Sequence, residues 1–447
     1  MTKCTGQIDL FSIGRRKVTI ESNGTFITSN AGVLLASRIE KRLELSRRFS
    51  QVLSDERDAA LVKHTYENQM RQRLLQIVCG YEDCNDATEL RHEPALQTAM
   101  GRVAGREEST LASQPTLSRF EQRGGREVLR MSEVLVDLWI DQLLRRGPQA
   151  WKNIVLEFDS TDDPTHGHQQ LTMFHGYYDQ TMYHPLLVFD GEGWPVAVVL
   201  RPGRASSSEG AASILLRIFR RIVDRLPKQA RITFRGDAGF GSPDMYELCE
   251  ALGIRYVIGQ VTHAGYKAMT TDALEEANRH FETTGTKKRV FREFAYQAQT
   301  WDRRRRVIGK AERGAEGENL RFIVTNIDDL DPEACYDYYS ERGQSENFIK
   351  DLKNAMFADR LSCSDFMPNQ FRLLIHTVAY IVMLELRREM AGTALEKAQM
   401  DTLRLKLLKI GACIVVTARR IWVQLSEFDP SRHLFEHLSR RLAAAPS

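Results

Sequence analysis

The spacing of hydrophobic and polar positions changes period several times along the chain, and each change predicts an architectural boundary. Residues 7–28 follow a period of two. IDLFSI, KVTIES and TFITS read as strands, and Asn23-Gly24 between the last two is a hairpin signal. From Ala31 the period turns helical. AGVLLASRIEKRLEL and ERDAALVKHTYENQMRQRLLQIVCG are amphipathic, and residues 86–100 and 125–146 continue the pattern. SQPTLSRFEQ reads as a short helix with Pro115 early and Ser113 placed to cap it. Residues 1–148 are therefore expected to form a hairpin and a helical domain ending near Gly147-Pro148.

Beyond residue 149 strands and helices alternate. NIVLEFDS buries Ile154, Leu156 and Phe158 on one face, and QQLTMFHGYY, HPLLVFD and WPVAVVLRPG add strand character. SSEGAASILLRIFRRIVDRL is an amphipathic helix with Ser207 or Ser208 near its start. ARITFRGDAGFG is a strand running into a glycine-rich turn. SPDMYELCEALG is a helix with Ser242 as cap and Pro243 at its first position, and IRYVIG is another strand. Such alternation predicts an α/β layer fold over 149–262. Residues 263–331 break it: VFREFAYQAQTW, RRVIGKAE and LRFIVTNI are strand-like, with TDALEEANRHFE the one longer helix, so a mainly β insertion is expected. The core should resume at 332–365. A helical region at 366–447 follows, a candidate for dimerisation, in which KLLKIGACIVVTARRIWVQL fits either helix or strand.

Composition narrows the class. A chain of 447 residues is too long for one compact unit, and 42% hydrophobic content supports large cores. A net charge of only +3 means that any nucleic-acid binding must rest on local clusters: Arg15-Arg16-Lys17, Arg47-Arg48, Arg303 to Arg306, and Arg440-Arg441. The seven cysteines are scattered, and nothing completes a zinc site around Cys79 and Cys84. Reduced thiols, a start without the apolar core of a signal peptide, and a longest apolar run (373–386) interrupted by His376, Thr377 and Glu385 predict a cytoplasmic protein with no membrane span.

The stretch YSERGQSENFIKDLK carries the most specific pattern. Tyr339, Arg342, Glu346 and Lys353 recur at steps of three, four and seven, which on one continuous helix return to nearly the same face. Phe348, Leu352 and Ala355 fall on the opposite, apolar face. An aromatic hydroxyl, two cations and one carboxylate on a single face suit a place where a metal ion and phosphates are held together. Two other acids stand at predicted strand ends, Asp159 and Asp237, and strand ends of an α/β sheet converge on one edge. Three converging acids repel unless divalent cations neutralise them, and oxygen donors suit Mg²⁺ or Mn²⁺. Two such ions can drive phosphodiester cleavage. Glu157 is the alternative to Asp159, since both project from the same strand face; Thr161 and His166 follow closely, His166 with a turn-capping role.

The Tyr-x2-Arg-x3-Glu-x6-Lys spacing resembles the bacterial insertion-sequence transposases of the DDE class, in the Tyr-Arg-Glu-Lys group. FDSTDDPTHGHQQ, RGDAGFGSPD and GYEDCNDATELRHEPAL are similar to the insertion-sequence family designated thirteen-eighty. The resemblance implies an RNase H-like α/β catalytic core interrupted by the β insertion, with a DNA-end-binding domain before it. It implies a metal triad of Asp159, Asp237 and Glu346 holding two Mg²⁺ or Mn²⁺ ions. It also implies double-stranded DNA partners (terminal inverted repeats and target), a homodimer on paired ends, and cut-and-paste transposition near the bacterial nucleoid. On physical grounds Arg342 and Lys353 should grip phosphates, and Tyr339 should hydrogen-bond a phosphate or a neighbouring acid. Trp301 beside Arg303, Arg304, Arg305 and Arg306 could stack an unstacked base while the arginines hold its phosphates; a core tryptophan beside a solvated arginine run fits equally well. Two alternatives remain at this level: a non-catalytic DNA-binding protein of the same fold, and a stand-alone metal-dependent nuclease.

Overall fold

The computed structural model describes residues 8–20, 26–165 and 167–444, so the expected turn at Asn23-Gly24 and His166 lie outside the described residues. The chain divides into two compact units, Met1–Glu121 with Val382–Ser447, and Gln122–Ile381. The helical domain therefore closes at Glu121 rather than near Pro148, and most of the C-terminal region shares its unit.

In the first unit the hairpin forms between Ile8–Ile13 and Arg16–Ile20, turning at Gly14-Arg15, one segment earlier than the alternation suggested. The short strand Ile27–Thr28 instead pairs with Ala412–Val416, which pairs in turn with Ile421–Leu425. This pairing resolves the ambiguous C-terminal segment as a β hairpin, in keeping with its β-branched residues. The helices Val33–Leu43, Tyr66–Val78 and Gln114–Glu121 form as expected, whereas residues 86–100 split into Ala87–Leu90 and Pro94–Ala99. Pro94 sits at the first turn of the second piece, where its missing N–H costs nothing. Arg73 is fully buried at the centre of this unit, where it pairs with Glu121 at 2.5 Å and donates to the carbonyls of Glu82 and Asp83.

The second unit is built on an eight-stranded mixed sheet. Its strand order is Lys288–Tyr296, Arg305–Gly314, Gly317–Thr325, Arg255–Gln260, Arg231–Gly236, Asn153–Ser160, Leu186–Asp190, Pro195–Val199. The three strands Asn153–Ser160, Arg231–Gly236 and Arg255–Gln260 are parallel, and the flanking strands are antiparallel. The strands of 263–331 thus extend the central sheet instead of forming a body of their own. Ile323, Val257 and Ile308 supply buried apolar faces that continue across the junction. Pairing along the free edge of Arg255–Gln260 removes an exposed sheet edge.

Candidate active site

Register explains how two distant acids meet. Phe158 pairs with Gly236 across two parallel strands, so Asp159 and Asp237 are the next residues on neighbouring strands, at the same end of the sheet. Neighbouring strands run about 4.8 Å apart, which places these two carboxylate-bearing positions side by side. Asp237 is then fixed by its turn: its Oδ1 accepts from the Gly239 N–H at 2.8 Å. Asp159 is 9% exposed; its Oδ1 accepts from the Ser160 N–H at 2.9 Å, and its Oδ2 from Ser345 Oγ at 3.3 Å and from the Arg342 guanidinium at 3.1 Å. Burial pushes its carboxyl up to about 6; the Asp237 charge pushes the same way, and Arg342 opposes both.

The stretch 339–353 is not one helix. Pro332–Ser340 ends, Gly343–Lys350 begins, and Asp351–Ala355 winds as a π turn. At the junction the bonds are one residue tighter, Arg342 N–H to Tyr339 O and Ser345 N–H to Arg342 O, and Gly343 weakens helix propensity there. The regular periodicity expected for Tyr339, Arg342, Glu346 and Lys353 is therefore interrupted twice. Arg342, Glu346 and Lys353 nevertheless line one cleft of about 470 Å³ together with Asp159, Asp237, Asp162 and Tyr178. Tyr339 stands behind it. A Cβ on Gly259 would lie 2.5 Å from the Tyr339 hydroxyl and 3.0 Å from the Ala238 nitrogen, so a residue without a side chain is what lets the tyrosine reach the Asp237 turn. Burial raises the Tyr339 phenol, with Arg342 opposing and Asp237 reinforcing.

Lys353 points into the same cleft. Its Nζ donates to Asp162 Oδ1 at 2.8 Å and to the Asp162 carbonyl at 2.7 Å. The apolar face is as expected in kind: Leu352 and Ala355 are buried, and the half-buried Phe348 ring lies 5.7 Å from Phe189. Glu157, the alternative first acid, is tied to Arg235 (Nε to Oε1, 2.8 Å), which also reaches Glu341 at 3.0 Å. That buried pair cross-links two strands and the helix above them, and Glu157 is absent from the cleft lining.

Among the described residues no cluster of three or more His, Cys, Asp or Glu side chains is already gathered to hold a metal. The donor chemistry still fits a hard cation. The Asp237 carboxylate disfavours the charge on the buried Asp159, both acids line one cleft, and the exposed Glu346 side chain borders the same space.

The family model described as transposase DDE domain group 1 matches residues 11–447. The chain belongs to that family. No curated protein sequence matches it. Among solved structures it is similar to a piggyBac transposase synaptic complex with hairpin DNA, studied by cryo-EM, at 12% identity and a TM-score of 0.40, covering 93% of this chain and 85% of that one.

Elsewhere in this DDE-family chain the arginine-rich segment is laid out differently from the cleft. Trp301 is 8% exposed, with its ring 5.4 Å from Tyr246 and 5.9 Å from Tyr296. Arg305 is buried in a bidentate pair with Glu250 (2.8 and 3.0 Å), and Arg306 is held by Glu293 and the Leu330 carbonyl. The core-tryptophan reading therefore describes the geometry of Trp301. Only Arg303 and Arg304 of the run are exposed, and Arg303 pairs with Asp302 at 2.9 Å. Ser345 and Tyr178, which contact or line the site, had no periodic or charge signal; the only hint was the aromatic run in FHGYYD. No helix among the described residues is long and apolar enough to cross a membrane.

Proposed function

We propose that the chain is a DNA transposase of the Tyr-Arg-Glu-Lys group, related to the bacterial insertion-sequence family designated thirteen-eighty. In this reading the mixed sheet is an RNase H-like core, and a homodimer in the bacterial cytoplasm pairs the terminal inverted repeats. It cuts the element ends and joins the 3′-hydroxyls to target DNA. One observation carries the proposal. Asp159 and Asp237 end neighbouring parallel strands and share a cleft with Glu346, Arg342 and Lys353.

Asp159, Asp237 and Glu346 are the residues that would hold Mg²⁺ or Mn²⁺. Two bound ions would activate the attacking oxygen and stabilise the leaving oxygen of a phosphodiester. Arg342 connects Asp159 to the open side of the cleft, and its planar fork suits a backbone phosphate. Lys353 braces the Asp159–Asp163 segment through Asp162 while adding positive charge for the same backbone. Of the arginine run, the exposed Arg304, with Arg303 beside it held by Asp302, would be the part that meets DNA, since Arg305 and Arg306 are committed within the fold.

The test is cleavage and joining of a labelled duplex carrying the element's end, with Mg²⁺ present or chelated. The reading predicts cation-dependent cutting and joining by the full chain and neither by Glu346→Ala. Cutting without joining would favour a nuclease. DNA binding with no cutting by the wild type would favour the non-catalytic alternative.

A further inference from the structure

Arg235 stands two residues before Asp237 and pairs across the parallel strands with Glu157, which stands two residues before Asp159. Side chains two apart share a strand face, so this ion pair lies beneath the two acids, about 6.6 Å further down the sheet. Arg235 is 3% exposed, and its guanidinium serves three elements at once. Its Nε donates to Glu157 Oε1 at 2.8 Å, and one terminal nitrogen donates to the same oxygen. The other terminal nitrogen donates to the Tyr338 carbonyl and, at 3.0 Å, to Glu341 Oε2. The guanidinium carbon lies 5.0 Å from the centre of the Tyr338 ring, a further attraction on the same helix.

The Tyr338 contact falls where the helix breaks. In an unbroken helix that carbonyl would accept from the amide four residues on, which belongs to Arg342. The Arg342 N–H turns instead to the Tyr339 carbonyl at 3.1 Å, and Arg235 takes the vacated place on Tyr338. From this joint the chain enters Gly343–Lys350, which carries Glu346, while Arg342 reaches Asp159 at 3.1 Å. One guanidinium therefore ties the strand of Asp159, the strand of Asp237 and the joint that precedes Glu346. Glu346 has no ion-pair partner among the described residues, so its place depends on how its helix is aimed. Glu157 Oε2 is buried without a hydrogen-bond partner among the described residues, so the hydrogen bonds that hold this carboxylate come from Arg235.

We propose that Arg235 is a positioning residue for the carboxylate site: by clamping the helix joint to both strands it sets the separation between the Asp159–Asp237 pair and Glu346, and with it the affinity for a divalent cation. The inference rests on the triad proposed above and adds the residue that holds its two halves together. A cation site loses affinity when its ligands are loose, and residues behind the ligands control that looseness. The task needs a planar fork with donors in several directions. Lysine would keep the charge beside Glu157 but could not reach Tyr338 and Glu341 as well. An ion pair that only stabilised the fold would change the melting temperature and leave the cation affinity of the folded protein alone.

The experiment measures Mn²⁺ binding to the full chain by electron paramagnetic resonance, beside a thermal melt and the Mg²⁺ dependence of cleavage. The proteins are wild type, Glu341→Gln, Arg235→Lys and Arg235→Gln/Glu157→Gln. The Glu341 side chain is exposed, so Glu341→Gln should melt like wild type and still weaken Mn²⁺ binding several-fold. Arg235→Lys should weaken it on the order of tenfold and raise the Mg²⁺ needed for half-maximal cleavage to match, with excess Mg²⁺ recovering most of the rate. The double glutamine variant removes both buried charges at nearly constant volume, which favours a folded protein, and should weaken Mn²⁺ binding at least as much. Wild-type Mn²⁺ affinity in the folded Arg235 variants, whatever their melting temperatures, overturns the positioning role and leaves a structural ion pair. If both Arg235 variants fail to fold, Glu341→Gln decides, and wild-type affinity there overturns the role. A wild-type chain that binds no Mn²⁺ overturns the triad itself, and the role of Arg235 falls with it.

Discussion

Two arginine-bearing regions of the second unit look alike in sequence and differ in what their charges do. In the run Arg303 to Arg306, Arg305 and Arg306 are matched to Glu250, Glu293 and backbone carbonyls, and Arg303 to Asp302. Those contacts pin the strand Arg305–Gly314 to the helix Pro243–Leu252 and to its neighbouring strand. In the cleft, Arg342 and Lys353 each meet one acid and also border open volume. A dense run of like charges is thus weak grounds for a binding site until its counter-ions are counted. A sparse set of charges around a gap is stronger, because its balance is completed only by something that enters.

The largest test of this contrast is at the sparse site. Glu346→Ala should lower strand cleavage by at least about a thousandfold, in line with loss of one member of a unit that acts together. Its melting temperature should stay close to that of wild type, because the Glu346 side chain is exposed and has no ion-pair partner among the described residues. A cleavage assay beside a thermal melt checks both. Wild-type cutting by the variant would remove the acid triad from the mechanism.

The dense run should behave in the opposite way. Arg305→Ala removes the bidentate partner of Glu250 and one of the two arginines on Asp302, beside the ring of Trp301, and should cost about 3 kcal/mol of stability. Trp301→Ala should cost a similar amount, about 3 kcal/mol, by opening a cavity beside Tyr246 and Tyr296. Urea unfolding measures both. A variant that unfolds like wild type but loses DNA affinity would return Trp301 to the DNA interface.

How much of this was legible in the sequence follows from which interactions are local. Strand ends, caps and amphipathic faces depend on neighbours in the chain, so Asp159, Asp237 and the Ser242 cap could be placed from NIVLEFDS, RGDAGFG and SPDM. Convergence of the acids needed only a parallel pair and a shared sheet end. The break at Arg342-Gly343 and the π turn at Asp351–Ala355 were not legible, because a single tightened or loosened turn leaves the apolar spacing almost intact. Joining of 263–331 to the central sheet was hidden for a different reason: strand patterns give no partner, and the pairing of Gly317–Thr325 with Arg255–Gln260 spans a long stretch of chain. The role of Arg305 as a buried counter-ion was equally silent, since Glu250 lies on a distant helix.

A smaller effect is expected beside the cleft. Asp163 is 2% exposed and neither carboxylate oxygen has a hydrogen-bond partner. Burial raises its carboxyl well above the ordinary value; nearby Asp359 adds to this, and Lys353 opposes it. A folded-state value above the unfolded one means that the folded protein holds the proton longer. Stability should therefore fall as pH climbs past about 4, by at most about 1.4 kcal/mol per pH unit, and stop falling once the folded carboxyl has ionised. Asp163→Asn should accordingly be more stable than wild type at pH 8 and lose that advantage by pH 4. Unfolding curves across that range decide it, and an advantage independent of pH would mean that the carboxyl does not titrate in this window.

The smallest effect separates the exposed end of the arginine run from its buried part. Arg304 is exposed and has no ion-pair partner among the described residues, so Arg304→Ala should change stability by less than about 0.5 kcal/mol. If Arg304 meets a DNA phosphate, the same replacement should still lower the salt slope of duplex binding by about one unit, for every sequence tested alike. Arg342→Ala should lower the slope by a similar unit and also reduce cleavage, because its guanidinium sits on Asp159 as well as on the open side of the cleft. The pair of measurements distinguishes a charge that only holds the backbone from one that also arranges an acid. If Arg304→Ala leaves the slope untouched while Arg342→Ala lowers it, the whole run belongs to the fold and the path of DNA is confined to the cleft side of the sheet.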